Sequence, residues 1–338
     1  MVLLALSLAA CGGIKMSNVK ANQPLKQASL DRLKGMGSSP GDAMMIRIFK
    51  ESSELEVWKK VADGSFKLYK SYEICAWSGA LGPKVKEGDR QAPEGFYTIT
   101  PGLMNPNSNY YLAFNTGFPN KFDRAFGRTG SELMVHGDCS SRGCYSMTDE
   151  SIAEIYALAR ETFRGGNASF QLQIFPFRMT AKNLAKHSTD PSMSFWKDIK
   201  EGYDRFELAR TPPIWDVCEK EYVFGVAGGQ ALEAAGACPP DAKVLTAALK
   251  AKQVADEAAM VQEVALLADQ QAQAAAAAAK AAEEAAKVAA AKAAAKAQGE
   301  AIGGFIGGLL FGGGSEPAQG VIDPSIVPPI PAPHLDRG

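Results

Sequence analysis

Leu133-Met134-Val135-His136-Gly137-Asp138-Cys139-Ser140-Ser141-Arg142-Gly143-Cys144-Tyr145-Ser146-Met147 carries a short apolar run into a histidine and comes back through Ser-Arg-Gly to a cysteine. A thiol is a useful nucleophile near neutral pH when a base or a positive field draws off its proton. Cys144 is therefore the candidate nucleophile and His136 the candidate base. The chain holds three histidines, and His334 falls in a Pro-rich tail, which leaves His187 as the other possible base. Gly137 and Gly143 bound the loop at points where the backbone must approach a substrate closely or take positive φ. Such a loop suits an oxyanion site made of peptide N–H groups, for which Gly143 and Cys144 are the candidates. Two other readings fit the same cysteines: a Cys139–Cys144 disulfide, or half of a metal site. Zinc sites usually draw on tighter pairs with a matched second pair, so neither a metal nor a cofactor is expected.

Composition and the N-terminus set the surroundings. A net charge of −1 gives no electrostatic footprint for nucleic acid. Six cysteines in 338 residues fall short of a disulfide-scaffold density. Val2-Leu3-Leu4-Ala5-Leu6-Ser7-Leu8-Ala9-Ala10-Cys11 resembles a bacterial lipobox, with Cys11 as the lipidated residue. The run is shorter than the about 20 apolar residues of a membrane span and has no basic residues ahead of it. Gly12 after the cysteine favours the outer membrane. If Cys11 is lipidated and Cys144 stays a thiol, then Cys75, Cys139, Cys218 and Cys238 remain to pair in an oxidising periplasm. Cys218 with Cys238 is the expected pair.

The segments 44–50, 55–60, 65–70, 95–99 and 110–114 are short, rich in apolar and β-branched or aromatic residues, and separated by Gly, Pro and Asn turns. They predict a mainly β domain with helices added. Thr148-Asp149-Glu150-Ser151 reads as a helix start, followed by Ile152, Ile155, Tyr156 and Ala159 at helical spacing. Trp196, Tyr203 and Phe206 are spaced as one helix face. Residues 243–298 are dominated by alanine with scattered Lys, Glu and Gln, and propensity alone predicts a helix on the order of 80 Å long. Its weak apolar stripe suggests a spacer, not a core element. Gly303 to Gly314 alternates glycine with large apolar residues, and Pro324 to Pro333 is expected to be extended and unpacked.

His136-Gly137 followed by Ser141-Arg142-Gly143-Cys144 resembles the active-site signature of the L,D-transpeptidase catalytic domain, the YkuD family, and is closest to its YafK-like branch. Glu87-Gly88-Asp89-Arg90, Pro93-Glu94-Gly95, Asn105-Pro106, Tyr110-Tyr111-Leu112, Asn115, Asp123-Arg124, Gly127-Arg128-Thr129-Gly130 and Ile174 to Thr180 add to the likeness, which spans about residues 40–225. Most of the family has a histidine two before the nucleophile, where this chain has Arg142, so the base falls to His136.

The resemblance implies an α+β, L,D-transpeptidase-like β-sandwich and a thioester mechanism on peptidoglycan stem peptides at meso-diaminopimelate. It makes Cys144, His136, Gly137 and Gly143 the catalytic set, with the Gly137 carbonyl or Asp138 orienting the imidazole. Ser141, Arg142, Tyr145 and Arg178 are the expected substrate contacts, Arg178 holding a carboxylate. His187 is expected to be structural. The expected organisation is a signal segment over 1–11, a flexible linker over 12–42, the catalytic domain over 43–237, the Ala-rich helix over 238–300 and a patch and tail over 301–338. Transpeptidation, hydrolysis of crosslinks or release of a wall-attached protein, and a catalytically silent wall-binding lipoprotein are the three functions compatible with these features.

Overall fold

The alternating strand segments of the sequence fold into two sheets in a computed structural model that describes residues 16–225 and 231–310. In chain order the elements are α1 (Met16–Ala21), α2 (Gln27–Gly35), β1 (Met44–Phe49), β2 (Glu54–Lys60), β3 (Phe66–Glu73), β4 (Ala76–Trp77), β5 (Gly95–Ile99), β6 (Met104–Asn105), β7 (Ala113–Asn115) and α3 (Lys121–Ala125). They continue with β8 (Met134–His136), β9 (Tyr145–Ser146), α4 (Asp149–Arg164), β10 (Phe170–Phe175), α5 (Ala181–Lys186), α6 (Met193–Ala209), β11 (Trp215–Cys218), β12 (Glu221–Phe224) and α7 (Ala247–Leu310). The chain divides into two compact units, Met1–Ala268 and Asp269–Gly338.

In the first unit one sheet runs β3-β2-β1-β10-β5 and the other β4-β9-β8-β7-β6, with β11 and β12 as a separate hairpin. Two pairs are parallel, β1 with β10 and β8 with β9. A parallel pair needs a connection that crosses back over its sheet. The β1–β10 crossover contains the whole second sheet and α4. One apolar core joins the two layers: Ile46, Ile48 and Val57 from the first sheet, Phe114, Val135 and Tyr145 from the second, and Ile152, Ile155 and Leu158 from α4. Helix α4 begins as its sequence predicts, with the Thr148 side chain accepting the Ser151 N–H and Asp149 and Glu150 in the first turn. Helix α6 buries Trp196, Ile199, Tyr203 and Phe206 in a second, aromatic layer behind the first sheet.

The stretch 12–42, expected as a flexible linker, is folded over its described part. Leu33 of α2 is fully buried in the main core. Ser29 Oγ donates to Glu154 at 2.6 Å, and Arg160 Nη1 donates to the Ala21 carbonyl. The sequence conceals this because α2 has no apolar stripe beyond Leu30 and Leu33; it is held to α4 by polar groups whose partners lie more than a hundred residues away.

The Ala-rich helix also starts differently from a free spacer. Thr246 Oγ1 accepts the Leu249 N–H, so the helix opens at Ala247 and not at 243. Its first turns belong to the catalytic unit: Leu249 is buried, Met260 packs against the aromatic layer, and Asp256 pairs with Lys200 of α6 and with Lys252. In the second unit the helical residues to 302 are exposed, with Glu283 and Lys287 paired at 2.5 Å. The backbone continues as helix to Leu310, which takes in the first part of the glycine-hydrophobic run. Among the described residues, no helix is long and apolar enough to cross a membrane. Cys11, His334 and the Pro-rich segment lie outside the described residues.

Two stability measurements check this packing. Leu33→Ala should lower unfolding stability by about 2–5 kcal/mol, read by urea denaturation, whereas an unpacked linker would show no change. A chain ending at Ala268 should melt at the full-length temperature, and one ending at Asp241 should melt several degrees lower, because it loses the Leu249 and Asp256 contacts.

Candidate active site

The parallel register Val135↔Tyr145 and His136↔Ser146 determines where Cys144 lies. Side chains alternate along a strand, so Val135 and Tyr145 point together into the core, both fully buried. Met134, His136 and Cys144 take the other face. The chain leaves β8 at Gly137 and must return to the start of β9, which brings Cys144 to the level of Met134, two residues back from His136. With a 4.8 Å strand spacing and a 3.3 Å rise, such diagonal positions lie about 8 Å apart at Cα, within reach of an imidazole and a thiol.

That return is short for a parallel connection and is clamped along its length. Asp138 and Cys139 have φ of 68° and 39°. The Asp138 N–H donates to Asp149 Oδ1 at 3.0 Å, which ties the loop to the first turn of α4. Cys139 forms a disulfide with Cys75, just ahead of β4. This pairing replaces the Cys139–Cys144 alternative and leaves Cys144 free. Closing a loop of 64 residues stabilises the fold by about 4 kcal/mol in the chain-entropy account. Cys218 pairs with Cys238, as expected. Gly143 has φ of 115°, and a Cβ there would meet Leu133 Cδ2 at 3.4 Å. Ser141 braces the last turn: its hydroxyl donates to the Cys144 carbonyl at 2.7 Å and accepts the Gly143 N–H at 3.4 Å.

His136 Nδ1 lies 2.6 Å from the Gly137 carbonyl. A carbonyl only accepts, so Nδ1 carries the proton and Nε2 bears the lone pair. The Tyr110 ring covers the imidazole at 4.7 Å between centroids. Burial pushes the His136 pKa down, against the Gly137 carbonyl and Asp138, which favour the charged form. Cys144 Sγ accepts the Met134 N–H at 3.4 Å and lies 3.6 Å from the Glu132 carbonyl, toward which the thiol can donate. Burial pushes the Cys144 pKa up; the Met134 N–H and Lys84 oppose this and Glu132 adds to it. Both shifts favour the uncharged forms of the thiol and the imidazole. Among the described residues, no hydrogen bond joins the two.

The remaining expected contacts divide. Arg142 is exposed on the loop beside Gly143. Tyr145, expected at the substrate, is in the core instead, its hydroxyl donating to the Pro93 carbonyl at 2.7 Å. Strand alternation turns it away from Cys144. Arg178, expected to hold a substrate carboxylate, holds two of its own chain's: Nη2 reaches Glu54 at 2.6 Å and Glu56 at 2.7 Å, on β2 of the first sheet. His187 stacks on Phe177 and pairs with Glu51 at 2.9 Å. Among the described residues, no group of three or more His, Cys, Asp or Glu converges as a metal site. The sequence reading did not single out Tyr110, Asp149 or Cys75 for this site. Tyr110 stood within the Tyr110-Tyr111-Leu112 stretch of the family resemblance, which was the available signal.

These features define an α+β domain that presents a thiol and an imidazole together on one face of a sheet. The L,D-transpeptidase catalytic domain (YkuD) family matches residues 44–164. "Putative L,D-transpeptidase YafK" of Escherichia coli strain K12 is 44% identical over 183 residues, covering 54% of this chain and 74% of that protein, and the same holds for its counterpart in strain O157:H7. A crystal structure of the helical cell shape determining protein Pgp2 from Campylobacter jejuni aligns at 22% identity and a TM-score of 0.32, over 43% of this chain and 54% of that one, so the chain spans about half of its length. The chain belongs to the L,D-transpeptidase catalytic domain family.

The charge state of the resting pair is directly measurable. Because burial disfavours the thiolate, iodoacetamide labelling of Cys144, mapped by peptide mass spectrometry, should rise with pH through a midpoint above the about 8.5 of a free cysteine. A midpoint below about 7 would indicate a preformed thiolate–imidazolium pair.

Proposed function

We propose that the protein is a periplasmic cysteine acyltransferase of the L,D-transpeptidase type, acting on peptidoglycan stem peptides at meso-diaminopimelate. The observation that carries this reading is the contact of His136 Nδ1 with the Gly137 carbonyl: with Nδ1 donating there, the lone pair of Nε2 is left for the proton of a thiol presented on the same sheet face. Nε2 takes the Cys144 proton as Sγ attacks the amide carbonyl. The N–H groups of Gly143 and Cys144 receive the oxyanion, the Gly143 N–H being held only by a long bond to Ser141. When the C–N bond breaks, His136 returns the proton to the leaving amine, and the acyl group remains as a thioester on Cys144. The acceptor is then an amine of another stem or of a wall-attached protein, or water, in which case the enzyme releases crosslinks or attached proteins. Lipidation at Cys11 would tether the domain to the envelope membrane.

Defined muropeptides incubated with the protein and read by mass spectrometry separate the outcomes: crosslinked dimers mean transfer, shortened stems mean hydrolysis, and unchanged substrate means a silent wall-binding protein. Cys144→Ala should abolish turnover. Cys139→Ser should retain a measurable rate, lowered by about 10- to 100-fold because the loop that positions Cys144 loses its pin. A carbapenem should leave a covalent mass adduct on the wild type and none on Cys144→Ala; equal labelling of both would overturn the assignment of the nucleophile.

The acid limb of the pH–rate profile follows from His136. The imidazole acts as a base only when neutral, and burial lowers its pKa, so the rate should rise with pH through a midpoint below 6.5. A midpoint above 6.5 would mean that the imidazole is stabilised as a cation in the working site.

A further inference from the structure

The two disulfides differ in their exposure. Cys218 is fully buried, packed with Val223 and Ala242, and Cys238 is half-buried against them, which leaves little of that bridge open to a thiolate. Cys75 and Cys139 are both exposed. Exposed disulfides are the ones that exchange with external thiols, and they are commonly regulatory. The exposed bridge is also the one that holds the catalytic loop.

It spans the outgoing end of β9. The Cys75 N–H donates to the Ser146 carbonyl at 2.9 Å on one side, and the Cys139 N–H donates to the Met147 carbonyl at 3.4 Å on the other. Cys139 sits in the exposed limb of the loop, residues 138–140, and five residues further on the same loop ends in Cys144. Asp138 and Cys139 hold φ of 68° and 39°, a region that L-residues leave when nothing restrains them. Besides the bridge, the limb is held by the Asp138 bond to Asp149 and by the long Cys139 contact with Met147. Opening the bridge therefore frees Cys139 to take ordinary φ, and the course of the loop changes ahead of Gly143 and Cys144. Strands β8 and β9 keep their own pairing, and Met147 N–H still donates to the His136 carbonyl at 2.7 Å, so the sheet outlasts the bridge.

Cys144 does not open the bridge itself. Cys139 lies beside Met147, three residues along the chain from Cys144, a separation of about 10 Å at 3.3 Å per residue and more than the about 7 Å that a disulfide spans between Cα atoms. The Cys144 sulfur is turned instead to the Met134 N–H and the Glu132 carbonyl. The electrons must come from an external dithiol. One of its thiolates attacks the sulfur of Cys75 or Cys139, a mixed disulfide forms, the Cys75–Cys139 bond breaks and the released thiolate takes a proton. The second thiol of the reagent then attacks the mixed disulfide, the reagent departs as its own disulfide, and the freed protein sulfur is protonated. Two electrons pass to the protein, and the reverse steps with a disulfide oxidant close the bridge.

We propose that Cys75–Cys139 is a redox modification site that switches the enzyme: closed, it holds the loop so that Cys144 is presented for acyl transfer, and opened by a dithiol it lets the loop relax and the rate fall. The chain is then active only where thiols are kept oxidised. This rests on the reading of Cys144 as the acyl carrier.

The test equilibrates the full-length protein with graded dithiothreitol, removes the reagent by gel filtration and divides the sample among three readouts. These are differential alkylation with peptide mass mapping, the rate of carbapenem acylation of Cys144 by intact mass, and circular dichroism at the assay temperature. Cys75 and Cys139 should become alkylatable at a concentration that leaves Cys218–Cys238 closed. At that point acylation should slow by about 10- to 100-fold, the loss expected from a misplaced nucleophile, with the circular dichroism unchanged. Oxidised dithiothreitol should restore the rate. In a second arm, the double variant Cys75→Ser/Cys139→Ser should show the slow rate with and without dithiothreitol. Opening of Cys218–Cys238 first or at the same concentration, loss of the circular dichroism signal on opening, or a rate that reoxidation does not restore would each overturn the proposal. Acylation that proceeds equally fast with the bridge open removes the switch alone, whereas a carbapenem that fails to acylate the untreated protein removes the reading of Cys144.

Discussion

The parallel pairing of β8 with β9 is the constraint on which the rest of the site depends. An antiparallel pair could have been closed by a two-residue turn; a parallel pair usually takes a dozen or more residues to return. Here Gly137 to Cys144 does it, and so short a return closes only in unusual backbone conformations under external restraint. Positive φ at Asp138, Cys139 and Gly143, the Cys75–Cys139 disulfide, the Asp149 acceptor and the Ser141 brace are all consequences of that one pairing. In return, the register fixes the Cys144 thiol and the His136 imidazole on the same face without any direct bond between them.

The opposite side of the loop leans on a wall whose position is set by a buried ion pair. Lys50 and Glu94 are both fully buried, 2.8 Å apart. Lys50 also donates to the Gly82 and Ala92 carbonyls, and Glu94 accepts from the Gly82 N–H and from Trp196 Nε1. A buried pair adds little net stability over an apolar substitute, but removing one partner strands the other at a cost of about 3–5 kcal/mol. Its effect is positional. It anchors the 78–94 segment, where the Pro93 carbonyl receives the Tyr145 hydroxyl and Arg90 and Gln91 approach Gly143. Tyr145 thus serves the site from inside the core, as the residue that hangs β9, and with it Cys144, from this wall.

What the sequence disclosed follows the range of the interactions involved. Strands β1, β2, β3 and β5 of the first sheet, the Thr148 cap and the buried stripe of α4 are written in neighbouring residues and were legible, whereas β10 was not among the expected strands. The facing of Cys144 and His136 was legible because loop and motif lie within one short stretch. Tyr145 and Arg178 were misplaced because adjacency to a motif says nothing about which face of a strand a side chain takes, nor that Glu54 and Glu56 lie across the sheet from Arg178. Helices α1 and α2 were missed for a related reason: the bonds of Ala21 to Arg160, of Lys26 to Glu150 and of Ser29 to Glu154 join residues remote in sequence, and Leu33 alone is too small a signal. The docked start of α7 escaped likewise, since Lys200 and Asp256 become partners only after folding.

The resting state of the thiol ties these layers to the chemistry. Sγ accepts from Met134 N–H and faces the Glu132 carbonyl, while the imidazole is engaged through Nδ1 with its own following residue. Each group is satisfied locally, and burial favours its uncharged form. Proton transfer needs Nε2 and the thiol at hydrogen-bond distance, and catalytic contacts of this kind commonly tighten only in the substrate complex. The backbone around both groups is clamped by the disulfide, by α4 and by the 78–94 wall, so the adjustment falls to the two side chains, chiefly to rotation of Cys144 about χ1. A substrate carbonyl that occupied the Gly143 and Cys144 N–H groups would draw the sulfur away from the strand edge and toward the base. Burial that favours the protonated thiol suits a free cysteine in a chain whose other described cysteines are disulfide-bonded.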